Sequence, residues 1–339
     1  MKTLVKIAFV ILVLISIVAI VASIYFYNAV NQKFQSDVPN FGGDPKYHFS
    51  LILTDTDSTY ISQIKKGVYD AAAKYNVAIE FHESDFSKDG LLNSDYINIA
   101  RLAKLDGVIV NSSNNEGANL ITSINEAIAS GMVVSVTGYK DIQSSRNVYV
   151  GTSQFSYGQK AAELVYEAGN GPNLIYPAII FPSSYQDETD NNTNLFELGF
   201  KSMAKSFSER FQDFLYEKTN SKLLGAEDIT LNILKENPEV NVIFCMNAKD
   251  TIAAAQAVVD RYRVGSVFIV GTDVNDEILD YIDKGIIYGV IDRNGYLIGQ
   301  SSIEALINQI EGTMQSSYKD IDIKQVTKSN ISDYLEQEN

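Results

Sequence analysis

The sequence predicts an α/β protein of two Rossmann-like lobes with parallel sheets, preceded by one transmembrane helix. Three observations carry that reading. From about residue 47 onward, short apolar runs alternate with stretches of helical periodicity along nearly the whole chain. The connections between them are short, which implies parallel pairing with right-handed crossovers. The alternation restarts near Val148, so the two halves hold similar numbers of strands and helices.

The unit Phe49 to Gly67 sets the pattern. Phe49 to Leu53 is a strand buried on both faces. Thr54 to Thr59 is a polar turn, and Tyr60 opens a helix. Ile61, Ile64, Val68, Ala71 and Tyr75 recur every three or four residues and line its inner face. Ligands of open parallel sheets sit outside the carboxyl ends of the strands, so the turn is where function is sought. In order follow a strand Val77 to Phe81, a helix Leu91 to Leu105 and a strand ending at Asn111. A helix Ala118 to Ser130 is stopped by Gly131, and Met132 to Thr137 is the next strand. The second half reads as strands at Val148 to Gly151, Ala178 to Phe181, Val242 to Met246, Val267 to Gly271 and Ile286 to Ile291. Its helices are Tyr157 to Ala168, a long one from Thr193 to Phe214, Leu223 to Glu236, Asp250 to Tyr262, Asn275 to Asp283 and Tyr296 to Ile310. The tail from Gln315 is polar and poorly patterned.

Composition excludes several functions. The chain has 339 residues, 45% hydrophobic and 20% charged, which suits a globular protein of two domains. Its net charge is −15 and no basic stripe occurs, so a nucleic-acid partner is not expected. The single cysteine, Cys245, lies in an apolar run and reads as a buried hydrophobe. The two histidines, His48 and His82, are far apart in sequence, so neither a zinc site nor a nucleophile–base pair is visible. Asp55 and Asp57 resemble the start of a calcium loop, but Tyr60 and Lys66 stand where that loop needs Gly and Glu. No glycine-rich phosphate loop follows any strand. No cofactor, metal or enzymatic activity is expected.

Ile7 to Tyr27 is 21 residues without a charge, long enough to span about 30 Å of hydrocarbon as a helix. Lys2 and Lys6 precede it, which places residues 1–6 in the cytoplasm and the rest outside. The apolar run exceeds the roughly 7–15 residues of a cleavable signal, and no lipid-acceptor Cys follows it. An uncleaved anchor at 7–27 is therefore expected, with a cleaved signal as the second reading. Residues 28–46, rich in Pro and Gly toward their end, read as a tether.

Taken together the motifs resemble the type I periplasmic sugar-binding proteins, the ribose/galactose/xylose-binding family. The stretches that carry the likeness are Phe49 to Gly67, Leu105-Asp-Gly-Val-Ile-Val-Asn, Gly131-Met-Val-Val-Ser-Val-Thr-Gly, Val150-Gly-Thr and Leu198-Gly-Phe. Toward the end come Val242-Ile-Phe-Cys-Met-Asn, Val270-Gly-Thr-Asp, Gly289-Val-Ile-Asp-Arg-Asn and Ile298-Gly. The resemblance implies lobes at 47–151 plus 292–321 and at 152–291 plus 322–339, joined by a three-segment hinge, with ligand between them. It implies hydroxyls from Thr54 and Ser58, and ring-stacking positions at Tyr60 and Ile61. Asn194 stands where an Arg is frequent, Asn247 and Asp273 match an amide and a carboxylate at strand ends, and Arg293 stands where Gln is frequent. Thr137 and Gly138 replace a frequent Asp-Arg pair, so the ligand need not be a common pentose or hexose. For Asp273 the competing reading is a helix N-cap.

Two functions follow from the resemblance and the anchor. The first is a sensor in the cell membrane, single-pass, its C-terminal domain extracytoplasmic, that closes on a sugar-like ligand and signals to a membrane histidine kinase. The second is the capture subunit of an ABC importer, with a permease as partner. The tether of 19 residues reaches only about 25 Å, which favours a fixed membrane partner.

Overall fold

The computed structural model describes residues 44–54, 58–83, 90–111, 117–138, 144–169, 174–182, 191–207, 209–219, 225–313 and 316–335, with the backbone course alone at 191–194. The expected anchor, and the tether up to residue 43, lie outside them, as do Asp55 and Asp57 and two further tyrosines that the sequence offers as candidates to reach the cleft, Tyr139 and Tyr185. Among the described residues no helix is long and apolar enough to cross a membrane.

The first lobe is built from β1 (Tyr47–Leu53), α1 (Thr59–Tyr75), β2 (Val77–Glu83), α2 (Asn93–Leu102), β3 (Gly107–Asn111), α3 (Gly117–Ala129), β4 (Val133–Gly138) and β5 (Val148–Gly151). The second lobe begins with α4 (Gln154–Ala168), β6 (Pro177–Phe181), α5 (Asn191–Ser206), β7 (Leu215–Lys218) and α6 (Ala226–Glu236). It continues through β8 (Val242–Cys245), α7 (Ala248–Asp260), β9 (Phe268–Thr272), α8 (Asp276–Asp283) and β10 (Ile287–Asp292). The chain then returns to the first lobe for α9 (Gly295–Ile310) and β11 (Tyr318–Asp320). It ends in the second with β12 (Lys324–Thr327) and α10 (Ser332–Leu335). The two sheets have matching order, β11-β5-β4-β3-β1-β2 and β12-β10-β9-β8-β6-β7. All pairings are parallel except β10 with β12.

The strands read as continuous apolar runs because both faces of each sheet are covered. Successive residues point to opposite faces, so Leu51 joins Ile64, Val68 and Ile298 under α1 and α9, while Ile52 joins Ile97, Val108 and Ile124 under α2 and α3. In the second lobe Ile180, Ile243 and Val258 pack under α6 and α7, and Tyr157, Phe196, Phe200 and Phe244 pack under α4 and α5. Three segments cross between the lobes: after β5, between β10 and α9, and between β11 and β12. The first and third are bound to each other, with the Ser153 amide donating to Asp320 Oδ1 at 3.0 Å and the Ile321 amide to the Gly151 carbonyl at 2.8 Å.

Two expectations are corrected. The long helix Thr193 to Phe214 ends at Ser206, and Leu215–Lys218 is the edge strand β7. Phe207, Phe211 and Phe214 sit at helical spacing, but Phe211 bridges to Ile175 and Phe214 meets Phe200 edge-on at 5.4 Å. The polar tail contains β11 and β12, each completing one sheet edge.

Helices α1 and α9 cross so closely that a Cβ on Gly299 would lie 2.1 Å from the Ile64 carbonyl oxygen. Backbone cannot yield there as a side chain can. Gly299→Ala is expected to cost roughly 1–3 kcal/mol of stability, read as a lower urea midpoint with an unchanged slope.

Candidate functional site

Both sheets point their carboxyl ends at the crossing segments, because β5 and β10 run directly into them. Parallel register then sets the strand ends in rows. In the first lobe the row is Thr54, Asn111 and Gly138; in the second it is Asn247, Asp273 and Arg293.

The centre of the site is Arg293. It occupies the crossing after β10, and its side chain is 1% exposed. Its Nε donates to Asp273 Oδ1 at 2.9 Å and its Nη2 donates to Asp273 Oδ2, a two-pronged pair with a carboxylate that is also 1% exposed. The guanidinium lies 4.0 Å from the centre of the Tyr60 ring, contributed by the first lobe, and 5.7 Å from that of Tyr157 in the second. Burial pushes the Asp273 carboxyl up, and the Arg293 charge beside it opposes that shift. Asp273 sits in the left-handed backbone region at φ 66°, its amide donating to the Ile291 carbonyl at 2.8 Å. Asn275, two residues on, caps α8, so Asp273 is not the cap.

Support comes from around the pair. The Thr272 hydroxyl donates to the Cys245 carbonyl at 2.9 Å, so in its 2.6 Å bond with Tyr157 the phenol is the donor. This fixes the Tyr157 ring. Asp292 accepts from the Asn294 amide at 2.8 Å and from the Tyr334 phenol at 3.0 Å. Burial, and then the Asp292 charge, push the Tyr334 phenol up, so it remains a donor. Two further bonds join the lobes: Gln63 Nε2 donates to the Val274 carbonyl at 2.9 Å, and Asn275 Nδ2 donates to Thr59 Oγ1 at 3.3 Å.

Of the residues singled out in the sequence, Tyr60, Asp273 and Arg293 are brought together. Thr54 is held in the first row by Asn111, which accepts from its amide at 2.8 Å and donates to its hydroxyl at 2.9 Å. Ser58 precedes α1 without a side-chain capping bond. Ile61 is packed into the first lobe's core with Leu53 and Ile298. Thr137 is buried and its hydroxyl donates to the Val150 carbonyl at 2.8 Å. Gly138 takes φ +108° and its carbonyl accepts from the Tyr149 phenol at 2.9 Å. Asn247 caps α7, accepting from the Asp250 amide and donating to its carboxylate, both at 2.7 Å. Asn194 lies in the first turn of α5.

Asn111, Tyr157 and Gln63 escaped the sequence reading. Asn111 ends a strand within a motif already singled out, and that position was its signal. Tyr157 and Gln63 read as ordinary helix residues. Among the described residues no group of three or more His, Cys, Asp or Glu is arranged to hold a metal ion.

The model of the periplasmic binding protein domain family matches residues 49–314. The D-allose-binding periplasmic protein of Escherichia coli (strain K12) is 22% identical over 279 residues, 77% of this chain and 83% of that protein. The ABC transporter periplasmic-binding protein YphF of the same organism is 20% identical over 261 residues, 74% and 76% of the two chains. In the solved XylFII–LytSN complex, a chain 27% identical superposes with a TM-score of 0.68, over 83% of this chain and 98% of that one.

Removing one member of a buried ion pair strands the other charge. Asp273→Ala is therefore expected to destabilise the fold by about 3–5 kcal/mol, whereas Asn247→Ala, losing a helix cap, is expected to cost about 1 kcal/mol. Chemical denaturation of both variants checks the order, and equal losses would contradict the buried pair.

Proposed function

The chain belongs to the periplasmic binding protein family, and from that premise we propose that it binds a sugar-like solute between its lobes and signals the closure to a membrane partner. The observation that carries this is the arrangement at Arg293. One guanidinium on a crossing segment touches an aromatic of the first lobe and a carboxylate of the second. Whatever binds there feels both lobes at once. The ligand-binding groups proposed are Thr54 with Asn111 on one side and Asp273 on the other, with Arg293 holding Asp273 in place. A polyol presents hydroxyls that both donate and accept, and this set offers partners for them. No catalytic step is proposed.

Closure is a population shift: open and closed forms interconvert, and a ligand that contacts both lobes favours the closed one. Moving the mixture from 1:99 to 99:1 takes about 5.5 kcal/mol of differential binding, within reach of several charge-assisted hydrogen bonds.

The partner proposed is a membrane histidine kinase. The uncharged span at 7–27 supports it, since an uncleaved helix would hold the lobes beside a fixed partner. That a chain of this fold is solved in complex with LytSN is in keeping with such a partnership. The second reading, a capture subunit delivering to an ABC permease, is favoured by the likeness to an ABC transporter binding protein.

Two measurements test these readings. The full chain in detergent, screened by thermal shift against neutral sugars and polyols, is expected to gain about 2.7 kcal/mol of stability at a hundredfold excess over Kd. A flat response to every sugar and polyol would sink the ligand class. Intact-mass analysis of the mature chain is expected to find Met1–Tyr27 present, and a chain cut near Ala29 would move the assignment to the importer.

A further inference from the structure

The aromatic slot at Tyr60 is already filled. A separation of 4.0 Å between the guanidinium carbon and the ring centre is van der Waals contact, so no sugar ring fits between them. The guanidinium is not a loose occupant. Its Nε and Nη2 are committed to Asp273, both side chains are 1% exposed, and the Tyr157 ring stands 5.7 Å from it. Tyr157 is itself fixed by its bond to Thr272. We propose that Arg293 is a specificity-determining residue that occupies the ring-stacking slot itself, so that the cleft selects an uncharged polyol gripped at its edges rather than a ring laid on Tyr60.

The charge balance gives the ligand class. Asp273 and Arg293 cancel. A ligand carboxylate gains the guanidinium only by displacing Asp273, and a ligand ammonium gains Asp273 only by displacing Arg293. Either exchange leaves one buried charge of the protein alone, which is the unfavourable outcome for a buried pair. An uncharged ligand demands no exchange and can use the hydroxyl and amide at Thr54 and Asn111. This inference rests on the sugar-like reading proposed above.

The test uses the full chain in detergent, with Arg293→Gln, the charge-balanced double variant Asp273→Asn with Arg293→Gln, and Arg293→Ala. D-allose and D-glucuronate serve as neutral and anionic probes in titration calorimetry. Freeing the Tyr60 face is expected to tighten D-allose binding by about tenfold in both Gln-bearing chains, and the native chain is expected to prefer D-allose to D-glucuronate. Methylguanidinium is expected to restore the melting temperature of Arg293→Ala where methylammonium does not. If the native chain binds D-allose and both Gln-bearing chains bind it no better, Arg293 is a ligand contact and the inference fails while the sugar reading stands. A native preference for D-glucuronate overturns the uncharged class. If no neutral sugar binds any chain, the sugar reading and the ligand class fall together. Methylguanidinium rescue then still supports the filled slot, and its absence overturns that too.

Discussion

The constraint on which the interlobe region depends is the removal of two opposite charges from water together. Asp273 and Arg293 are each costly to bury alone and tolerable only as a bidentate pair. That requirement fixes where the end of β9 and the crossing after β10 must lie relative to each other. The left-handed backbone at Asp273 and its amide bond to Ile291 follow from the same juxtaposition. Tyr60 and Tyr157 then cover the guanidinium with ring faces, which suits a weakly hydrated planar cation better than it would an ammonium.

The hinge is therefore more than three strands of connecting backbone. Asp292, beside Arg293, is held by the Asn294 amide and by Tyr334 from the chain's last described helix. The first and third crossings are bonded through Ser153 and Asp320. Gln63 and Asn275 add bonds between the lobes close to the same place. A change in lobe angle has to be accommodated by these groups together.

Much of the fold was legible because buried parallel strands leave a strong mark. Phe49 to Leu53, broken only by Ser50, and the uninterrupted Val108 to Val110 and Val242 to Cys245 are short apolar runs bounded by turn signals, as strands buried on both faces are. The misses have physical causes. Phe207, Phe211 and Phe214 keep a helix-like spacing while packing in an aromatic cluster at a sheet edge, so β7 was hidden. Strand β11 is exposed along its length and leaves no apolar pattern. At the site, strand-end position was readable and partnership was not. Asp273 and Arg293 are 20 residues apart, and only the sheet register brings them together. Asn247 illustrates the converse, since its place at a strand end is equally well explained by the helix it caps.

The threefold passage between the lobes has a consequence for synthesis on the ribosome. Strands β1 to β5 and helices α1 to α3 of the first lobe emerge early, yet Ile64 and Val68 of α1 are covered only when α9 arrives, more than 200 residues later. The second lobe in turn is complete only when β12, which follows the last passage through the first lobe, docks on β10. Neither half can close as a vectorial unit. An apolar helix face therefore waits for a partner far along the chain, and contacts of such long range set a slow final step.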